Sequence, residues 1–163
     1  MNEIVELNMI EIERKFLVIS NDFKSEAFKN DIIMQGYLNS HSERTIRIRT
    51  KGENAFITIK GKSSESGLSR FEWEKEIPLN EAMELFKLCE PGTIEKIRYY
   101  VKAGTHVFEI DEFTGDNSGL IIAEVELVSE EDSFEIPNWL GKEVTGENKY
   151  YNSQLCNNPF KNW

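Results

Sequence analysis

Eight segments of this chain alternate apolar and polar residues at every second position, which is the pattern of β-strands with two unlike faces. They span approximately residues 10–19, 32–40, 44–51, 55–62, 70–78, 94–103, 106–113 and 120–128. Short connectors containing Gly, Ser, Asn or charged residues separate most of them and suit antiparallel hairpins. Helices are predicted at residues 21–29, 80–89 and 148–157. The chain is therefore predicted to be an α+β protein built mainly from an antiparallel sheet.

The polar faces of most of these strands carry ionisable side chains at strict i, i+2 spacing. The acids in these series are Glu11, Glu13, Glu72, Glu74, Glu109, Asp111, Glu124 and Glu126. The bases are Lys15, Arg47, Arg49, Lys60, Lys62, Arg70, Lys96 and Arg98. Because successive side chains point to opposite faces of a sheet, each series gathers on one side.

Eight strands is also a number at which an antiparallel sheet can close into a barrel and remove its edges. Two packings are then open: the apolar faces fill the barrel, or they turn outward under helices while the charges line a tunnel. The eight acids and eight bases balance, although the chain as a whole carries a net charge of −10. Charges in a confined cavity must be paired or bound to counter-ions, so this balance counts toward a tunnel. The pattern alone still favours charges that coat the outside of a barrel. The bases cluster on the third, fourth and sixth strands, and acids dominate the seventh and eighth. Such a surface can bind a polyanion on one side and divalent cations on the other.

Composition excludes several other classes of protein. A length of 163 residues suits a single domain, here 1–163 with its core at about 9–155. The net charge of −10 argues against a nucleic-acid-binding surface. The start of the chain carries Glu3 and Glu6 where a secretory signal would carry Lys or Arg, and no apolar run is long enough for a membrane span. Cys89 and Cys156 form no CxxC pair, so we expect reduced thiols in a cytoplasmic protein that contacts neither nucleic acid nor membrane.

A series of short motifs, in order along the chain, resembles one known family. The chain begins with Glu11-Ile-Glu13-Arg-Lys15, a Glu-x-Glu-x-Lys pattern. It continues with Arg47-Ile-Arg49, Thr58-Ile-Lys60-Gly61, Arg70-Phe-Glu72-Trp-Glu74, Lys96-Ile-Arg98-Tyr99, Glu109-Ile-Asp111-Glu-Phe113 and Ala123-Glu124-Val125-Glu126-Leu127. Together these motifs resemble the CYTH domain family, the triphosphate tunnel metalloenzymes. The family includes class-IV adenylyl cyclases, thiamine triphosphatases and inorganic triphosphatases, and the resemblance covers about residues 9–155.

The resemblance implies a closed eight-stranded antiparallel β-barrel, a tunnel with a charged interior and helices packed on its outside. It implies that phosphate binds to Lys15, Arg47, Arg49, Lys60, Arg70, Lys96 and Arg98. It implies that Mg²⁺ or Mn²⁺ is held by Glu11, Glu13, Asp111, Glu124 and Glu126. Catalytic roles are expected for Glu72, Glu74, Lys15 and Arg70. Together with Asp111, the two glutamates are expected to hold a second metal or to orient the attacking water, or else to neutralise neighbouring bases.

Three functions follow from this resemblance. The first is a metal-dependent triphosphatase that hydrolyses inorganic triphosphate or the terminal phosphate of an organic triphosphate. The alternative is a class-IV adenylyl cyclase, which would also need a pocket for adenine at the tunnel entrance. The third is a non-catalytic module that binds polyphosphate or a nucleotide. The expected partner is a triphosphate-containing small molecule, and the protein is expected to be a monomer or a homodimer.

Overall fold

The computed structural model describes residues 9–163, so Glu3 and Glu6 lie outside the described residues. Within residues 9–163, nine strands and three short α-helices follow one another along the chain. The strands are β1 Ile10–Val18, β2 Lys29–Asn39, β3 Arg44–Lys51, β4 Asn54–Gly61, β5 Ser69–Ile77, β6 Ile94–Ala103, β7 His106–Phe113, β8 Ile121–Glu126 and β9 Leu140–Glu143. The helices are α1 Phe23–Glu26, α2 Leu79–Phe86 and α3 Asn152–Leu155.

The sheet closes on itself through β1. The strand order is β5-β4-β3-β2-β6-β7-β8-β1-β9, and β1 pairs a second time with β5. The first residues of β1 pair with β5, as in Glu11 opposite Arg70, and its later residues pair with β8, as in Lys15 opposite Glu124. The strands β1–β8 therefore form the closed antiparallel barrel that the sequence predicted. The short strand β9, which was not predicted, lies against the end of β1.

The apolar faces of the strands turn outward and are covered by the rest of the chain. Phe108 and Ile110 of β7, for example, pack with Phe23 of α1 and with Trp139, all of which are buried. On the opposite wall, Ala82 of α2 covers the outer faces of β3 and β4. The outward apolar faces of the strands and the apolar side chains that cover them are thereby removed from water. Hydrophobic burial of this kind is the main force that holds such a barrel closed. Of the two packings open from the sequence, the one with outward apolar faces is observed.

The three helices differ in extent from their predictions. The segment predicted at 21–29 has only one helical turn, because Ala27 is extended and Lys29 already pairs with β6. The helix predicted at 80–89 begins at Leu79 after Pro78, and its last residues continue as a tighter turn. The segment predicted at 148–157 divides into a 3₁₀ turn and α3. Among the residues that the structure describes, no helix is long and apolar enough to cross a membrane.

The interior of the barrel is charged over only part of its length. Near the end where β1 finishes and β6 begins, the inward-facing positions become apolar, as at Ile94, Phe113 and Ile122. Leu155 of α3 and Tyr150 pack against this cluster and are buried with it. One end of the barrel is therefore closed by apolar packing, whereas α1 and α2 lie on its outer surface as predicted.

Candidate active site

A cavity of about 280 Å³ occupies the charged part of the barrel. All seven side chains predicted to bind phosphate line it. Four of the five predicted metal ligands, Glu11, Glu13, Glu124 and Glu126, line it too, as do Glu72 and Glu74. Alternation along the strands brings these groups together, because every second residue of a barrel strand points inward.

Two arginines on β3 share a single carboxylate. Glu74 lies 3.4 Å from Arg47 Nη2 and 3.1 Å from Arg49 Nη2, and it accepts a 2.6 Å hydrogen bond from Thr58. The Nε atoms of both arginines are buried and have no hydrogen-bond partner. Burial, together with the neighbouring Arg47, lowers the pKa of Arg49 to about 10. The pair therefore carries excess positive charge and unused donors, which is what a site for an anion requires.

Lys60 is the next cation along the cavity wall and is more fully neutralised. Its ammonium group lies 2.7 Å from Glu11 and 2.7 Å from Glu72. Burial would raise the pKa of Glu11, but the Lys60 ammonium and then Arg70 outweigh it and lower this pKa to about 2. Glu11 is thus ionised, and its charge is balanced by the side chains of β4 and β5.

A cluster of carboxylates lies on the facing strands β1 and β8. Glu13 is opposite Glu126 in the register of these strands, and Glu124 lies 3.5 Å from Lys15. Burial raises the pKa of Glu13 to about 8, and the charges of Glu124 and Glu11 act in the same direction. Burial also disfavours the ionised form of Glu124, but Lys15 and the arginine and lysine of β6 lower its pKa well below the usual value. Burial and the neighbouring carboxylates therefore favour the protonated form of Glu13.

Asp111 was predicted to face the cavity together with the other carboxylates. It does not line the cavity that holds the other predicted ligands among the described residues. Its carboxylate is buried on the inward face of β7, next to the end of the barrel closed by apolar packing, where it accepts 2.7 Å hydrogen bonds from Lys96 Nζ and Arg98 Nε. Both oxygens accept hydrogen bonds from cations, so Asp111 holds these two bases in place. Its role as a metal ligand stays a prediction. Glu109, two residues earlier on β7, reaches the cavity and pairs with Arg98.

Several residues that line the cavity are neutral, so no charge pattern in the sequence marks them. Tyr37 lines the cavity from β2, the strand without a charged series. Three more residues come from the C-terminal segment, namely Tyr151, Asn152 and Ser153. The side-chain oxygen of Asn152 accepts hydrogen bonds from Lys96 Nζ at 3.0 Å and from Gln35 Nε2 at 3.1 Å. This segment was predicted as an outer helix, and no charge or spacing marked it as part of the site.

The carboxylates that line the cavity are suitable ligands for a hard divalent cation, but they do not form a complete coordination site. Their oxygens are the donors that Mg²⁺ and Mn²⁺ prefer. Across residues 9–163, however, no three acidic, histidine or cysteine side chains stand close enough to bind a metal by themselves. A magnesium ion commonly uses one or two carboxylates and completes its shell with water and substrate phosphate. Glu13, Glu124 and Glu126 suit that kind of shared site.

We predict that Glu13→Gln stabilises the metal-free protein. The amide resembles the protonated carboxyl, whereas ionised Glu13 lies beside Glu124 and Glu11. The pKa of Glu13 is about 8 in the folded protein, compared with an ordinary value of 4.5 in the unfolded chain. As the pH rises between these values, Glu13 loses its proton in the unfolded chain but keeps it in the folded protein, and this favours unfolding of the wild type increasingly. The gain in unfolding free energy of the variant should therefore grow between about pH 5 and pH 8, as measured by urea titration in a chelator. A gain that is absent or independent of pH would contradict this account.

A closed antiparallel barrel that encloses facing cations and carboxylates is the architecture of the tunnel proteins. The CYTH domain model matches residues 9–154, and the chain belongs to this family. It is 44% identical over 154 residues to an inorganic triphosphatase of Acetivibrio thermocellus, a match that covers 94% of this chain and 97% of that protein. It is 38% identical over 152 residues to an inorganic triphosphatase of Nitrosomonas europaea, covering 91% and 97%. The crystal structure of the inorganic triphosphatase NE1496 superposes with a TM-score of 0.61 at 33% identity, covering 90% of this chain and 93% of that one.

Proposed function

We propose that this protein is a divalent-metal-dependent hydrolase that cleaves inorganic triphosphate into orthophosphate and diphosphate. The observation that carries the proposal is the pair Arg47 and Arg49 inside the barrel. Their buried Nε donors are unpaired, and the two side chains share one carboxylate. The names of two relatives, inorganic triphosphatases that match over more than nine-tenths of this chain, support the choice of substrate.

The cations of the cavity would divide the work of binding the substrate. Arg47 and Arg49 would hold phosphate oxygens through their planar forks, because guanidinium groups bind such oxygens in pairs. Lys15 and Lys60 would act as point charges along the chain of phosphates. Arg98 is fixed by Asp111, so its position is set before the substrate arrives.

The charge of the substrate supports a role for divalent cations. Eight bases and seven acids line the cavity, so its own charge is close to balanced. A triphosphate brings several negative charges and develops more on its oxygens during transfer, so further positive charge is needed. We propose that Glu13, Glu124 and Glu126 hold Mg²⁺ or Mn²⁺ together with the substrate. A metal ion bound there would neutralise phosphate oxygens and polarise the phosphorus–oxygen bond.

In the proposed reaction, a water oxygen forms a bond to the terminal phosphorus while the bridging bond to the remaining diphosphate breaks. Glu74 already binds Arg47, Arg49 and Thr58, so we assign it to positioning these arginines. Glu72 has an ion pair with Lys60 and is the better candidate to orient the attacking water. Arg70 and Lys15 would stabilise the charge that develops during transfer.

The experiment that tests this function is a panel of substrates with Mg²⁺ or Mn²⁺. Inorganic triphosphate, ATP and thiamine triphosphate are incubated separately, and orthophosphate, diphosphate and cyclic AMP are measured. We expect inorganic triphosphate to give the highest kcat/KM, with one orthophosphate and one diphosphate formed per turnover.

The same panel separates the two alternatives. Cyclic AMP with an equal amount of diphosphate from ATP would show a cyclase, and no product from any substrate would indicate a binding module. Either result would contradict the proposed function. Reactions with a chelator in place of the metal serve as the control, and full activity under that condition would contradict the role of the carboxylates.

A further inference from the structure

A second cavity, of about 230 Å³, adjoins the first at the end of the barrel where β3 begins and β4 ends. The two cavities share four lining residues, Thr45, Arg70, Tyr151 and Ser153. These residues form a wall one side chain thick between the tunnel and the second cavity. None of the predicted site residues except Arg70 lines the second cavity, in the part of the chain that the structure describes.

The second cavity is lined by groups that donate hydrogen bonds. Hydroxyl groups come from Ser42, Ser63 and Ser64, and Asn148 lies at the same surface. Two cations, Lys62 and Arg70, and one acid, Glu65, are among the described residues that line it. Lys62 Nζ also lies 3.8 Å from Glu43, and Arg70 Nε lies 3.6 Å from Glu11 in the tunnel. Hydroxyl, amide and cationic donors with little negative charge are typical of a site for a small oxyanion.

The walls of this cavity are held in place by contacts between loops distant in the sequence. A Cβ atom added to Gly67 would lie 2.7 Å from Cα of Gly146, so the two loops touch backbone to backbone. Glu130 accepts hydrogen bonds from Ser66 and Ser69 at 3.1 and 3.4 Å and holds the same loop from the other side. The loop that carries Ser63 and Ser64 is therefore in contact with both Gly146 and Glu130.

Tyr151 is the central side chain of the wall. Its ring lies 5.2 Å from Lys15 Nζ on one side and 5.5 Å from the Arg70 guanidinium. Its hydroxyl lies 3.4 Å from Ser63 Oγ, a residue of the second cavity. Tyr151 therefore contacts cations of the tunnel and a hydroxyl group of the second cavity at the same time.

We propose that the second cavity is an orthophosphate-binding site separated from the tunnel by Tyr151. The identity of the anion rests on the proposed function, since orthophosphate is the small oxyanion that triphosphate hydrolysis releases. Lys62 and Arg70 supply the charge, and the serine hydroxyls with Asn148 supply the directed donors.

The test is equilibrium binding of inorganic phosphate alone, followed by isothermal titration. The wild type should bind two phosphates, one in the tunnel and one in the second cavity. Asn148→Asp places a like charge in the second cavity and should weaken that site at least about tenfold. Arg49→Ala should weaken the tunnel site instead. Equal binding by the wild type and Asn148→Asp would overturn the proposal.

Two further variants keep this test interpretable. Asn80→Asp adds the same charge on the exposed surface of α2, away from both cavities, and should bind phosphate as the wild type does. Lys62→Gln removes an exposed cation without burying anything, so it should fold normally and weaken the second site. If Asn148→Asp fails to fold, unchanged phosphate binding by Lys62→Gln would count against the site.

The binding readout needs no turnover, so this proposal and the proposed function can fail separately. A protein that binds two phosphates but does not cleave triphosphate would retain the site and lose the function. The source of the phosphate is tested by rapid mixing with triphosphate, comparing bond cleavage with phosphate release. A change in release alone in Asn148→Asp would show that product leaves through the second cavity, and unchanged release would show that phosphate enters this site from solvent.

Discussion

Arg49→Ala is expected to lower kcat/KM for triphosphate by about 10²-fold or more, the usual cost of removing a preorganised donor to a transferring group. Arg49 supplies an unpaired buried Nε and shares its one carboxylate, Glu74, with Arg47. Alanine removes both the charge and the fork, whereas Arg49→Lys keeps the charge and should lose less activity. The measurement is steady-state kinetics with Mg²⁺ or Mn²⁺ over a range of triphosphate concentrations.

The protein should remain folded in this variant, because Glu74 keeps its contacts with Arg47 and Thr58. Arg44→Ala is a matched control: Arg44 is on the same strand, is exposed and does not line the cavity. It should leave kcat/KM unchanged. Wild-type activity in Arg49→Ala would remove the arginine pair from the proposed phosphate site.

Glu124→Gln combined with Glu126→Gln is expected to reduce metal-supported hydrolysis by at least about a hundredfold. These carboxylates lie on β8 facing the predicted ligands of β1, and an amide is a much weaker ligand for a hard cation. Loss of a metal ion's charge stabilisation costs several kcal/mol, and each tenfold in rate corresponds to about 1.4 kcal/mol. Rates measured at rising Mg²⁺ or Mn²⁺ should show a higher metal requirement as well as a lower maximum.

Glu124 also pairs with Lys15, so unfolding temperatures must be compared alongside the rates. Glu126→Gln alone is a milder variant because Glu126 is exposed, and it should raise the metal concentration needed for half-maximal rate. The pair Glu81→Gln and Glu84→Gln removes the same charge from the exposed face of α2 and should have no effect on hydrolysis. Full activity of the β8 double variant with either metal would exclude both residues as ligands.

The two variants act on different parts of one site, and their effects should not simply add. The arginines and the carboxylates face each other across the cavity and would bind the same substrate, the latter through the metal. Residues that contact a common partner usually show coupling in double-mutant cycles. The Glu13→Gln variant differs from both, since its predicted effect on stability is present without substrate or metal.

The alternation of residue types predicted the strands of the barrel and most of the residues that line the site. A period of two assigns every strand residue to one face, so the sequence alone was enough to place Lys15, Arg49 and Glu124 on the charged side of the sheet. The number of strands allowed closure into a barrel and the resemblance implied it, and β1 does pair with both β5 and β8. The resemblance of the ordered motifs to a known family then favoured a charged interior over an apolar one.

The tertiary structure decided how far the charged interior extends along the barrel. Glu109 and Asp111 share a face of β7, but Asp111 lies closer to the end filled by Ile122 and Phe113, where the cavity has already closed. Periodicity defines the direction of a side chain and carries no information about the depth at which packing closes a barrel. The sequence therefore grouped Asp111 with the ligands, although it is buried with Lys96 and Arg98.

Contacts between distant segments were also beyond the sequence. Asn152 reaches Gln35 and Lys96 from the C-terminal segment, at separations of 117 and 56 residues. Neutral side chains such as Tyr37 and Tyr151 carry no pattern that marks them as part of a charged site. The wall that separates the two cavities arises only when the C-terminal segment packs into the end of the barrel. The local pattern thus determined which strand residues face inward, and long-range packing determined where the site ends and what closes it.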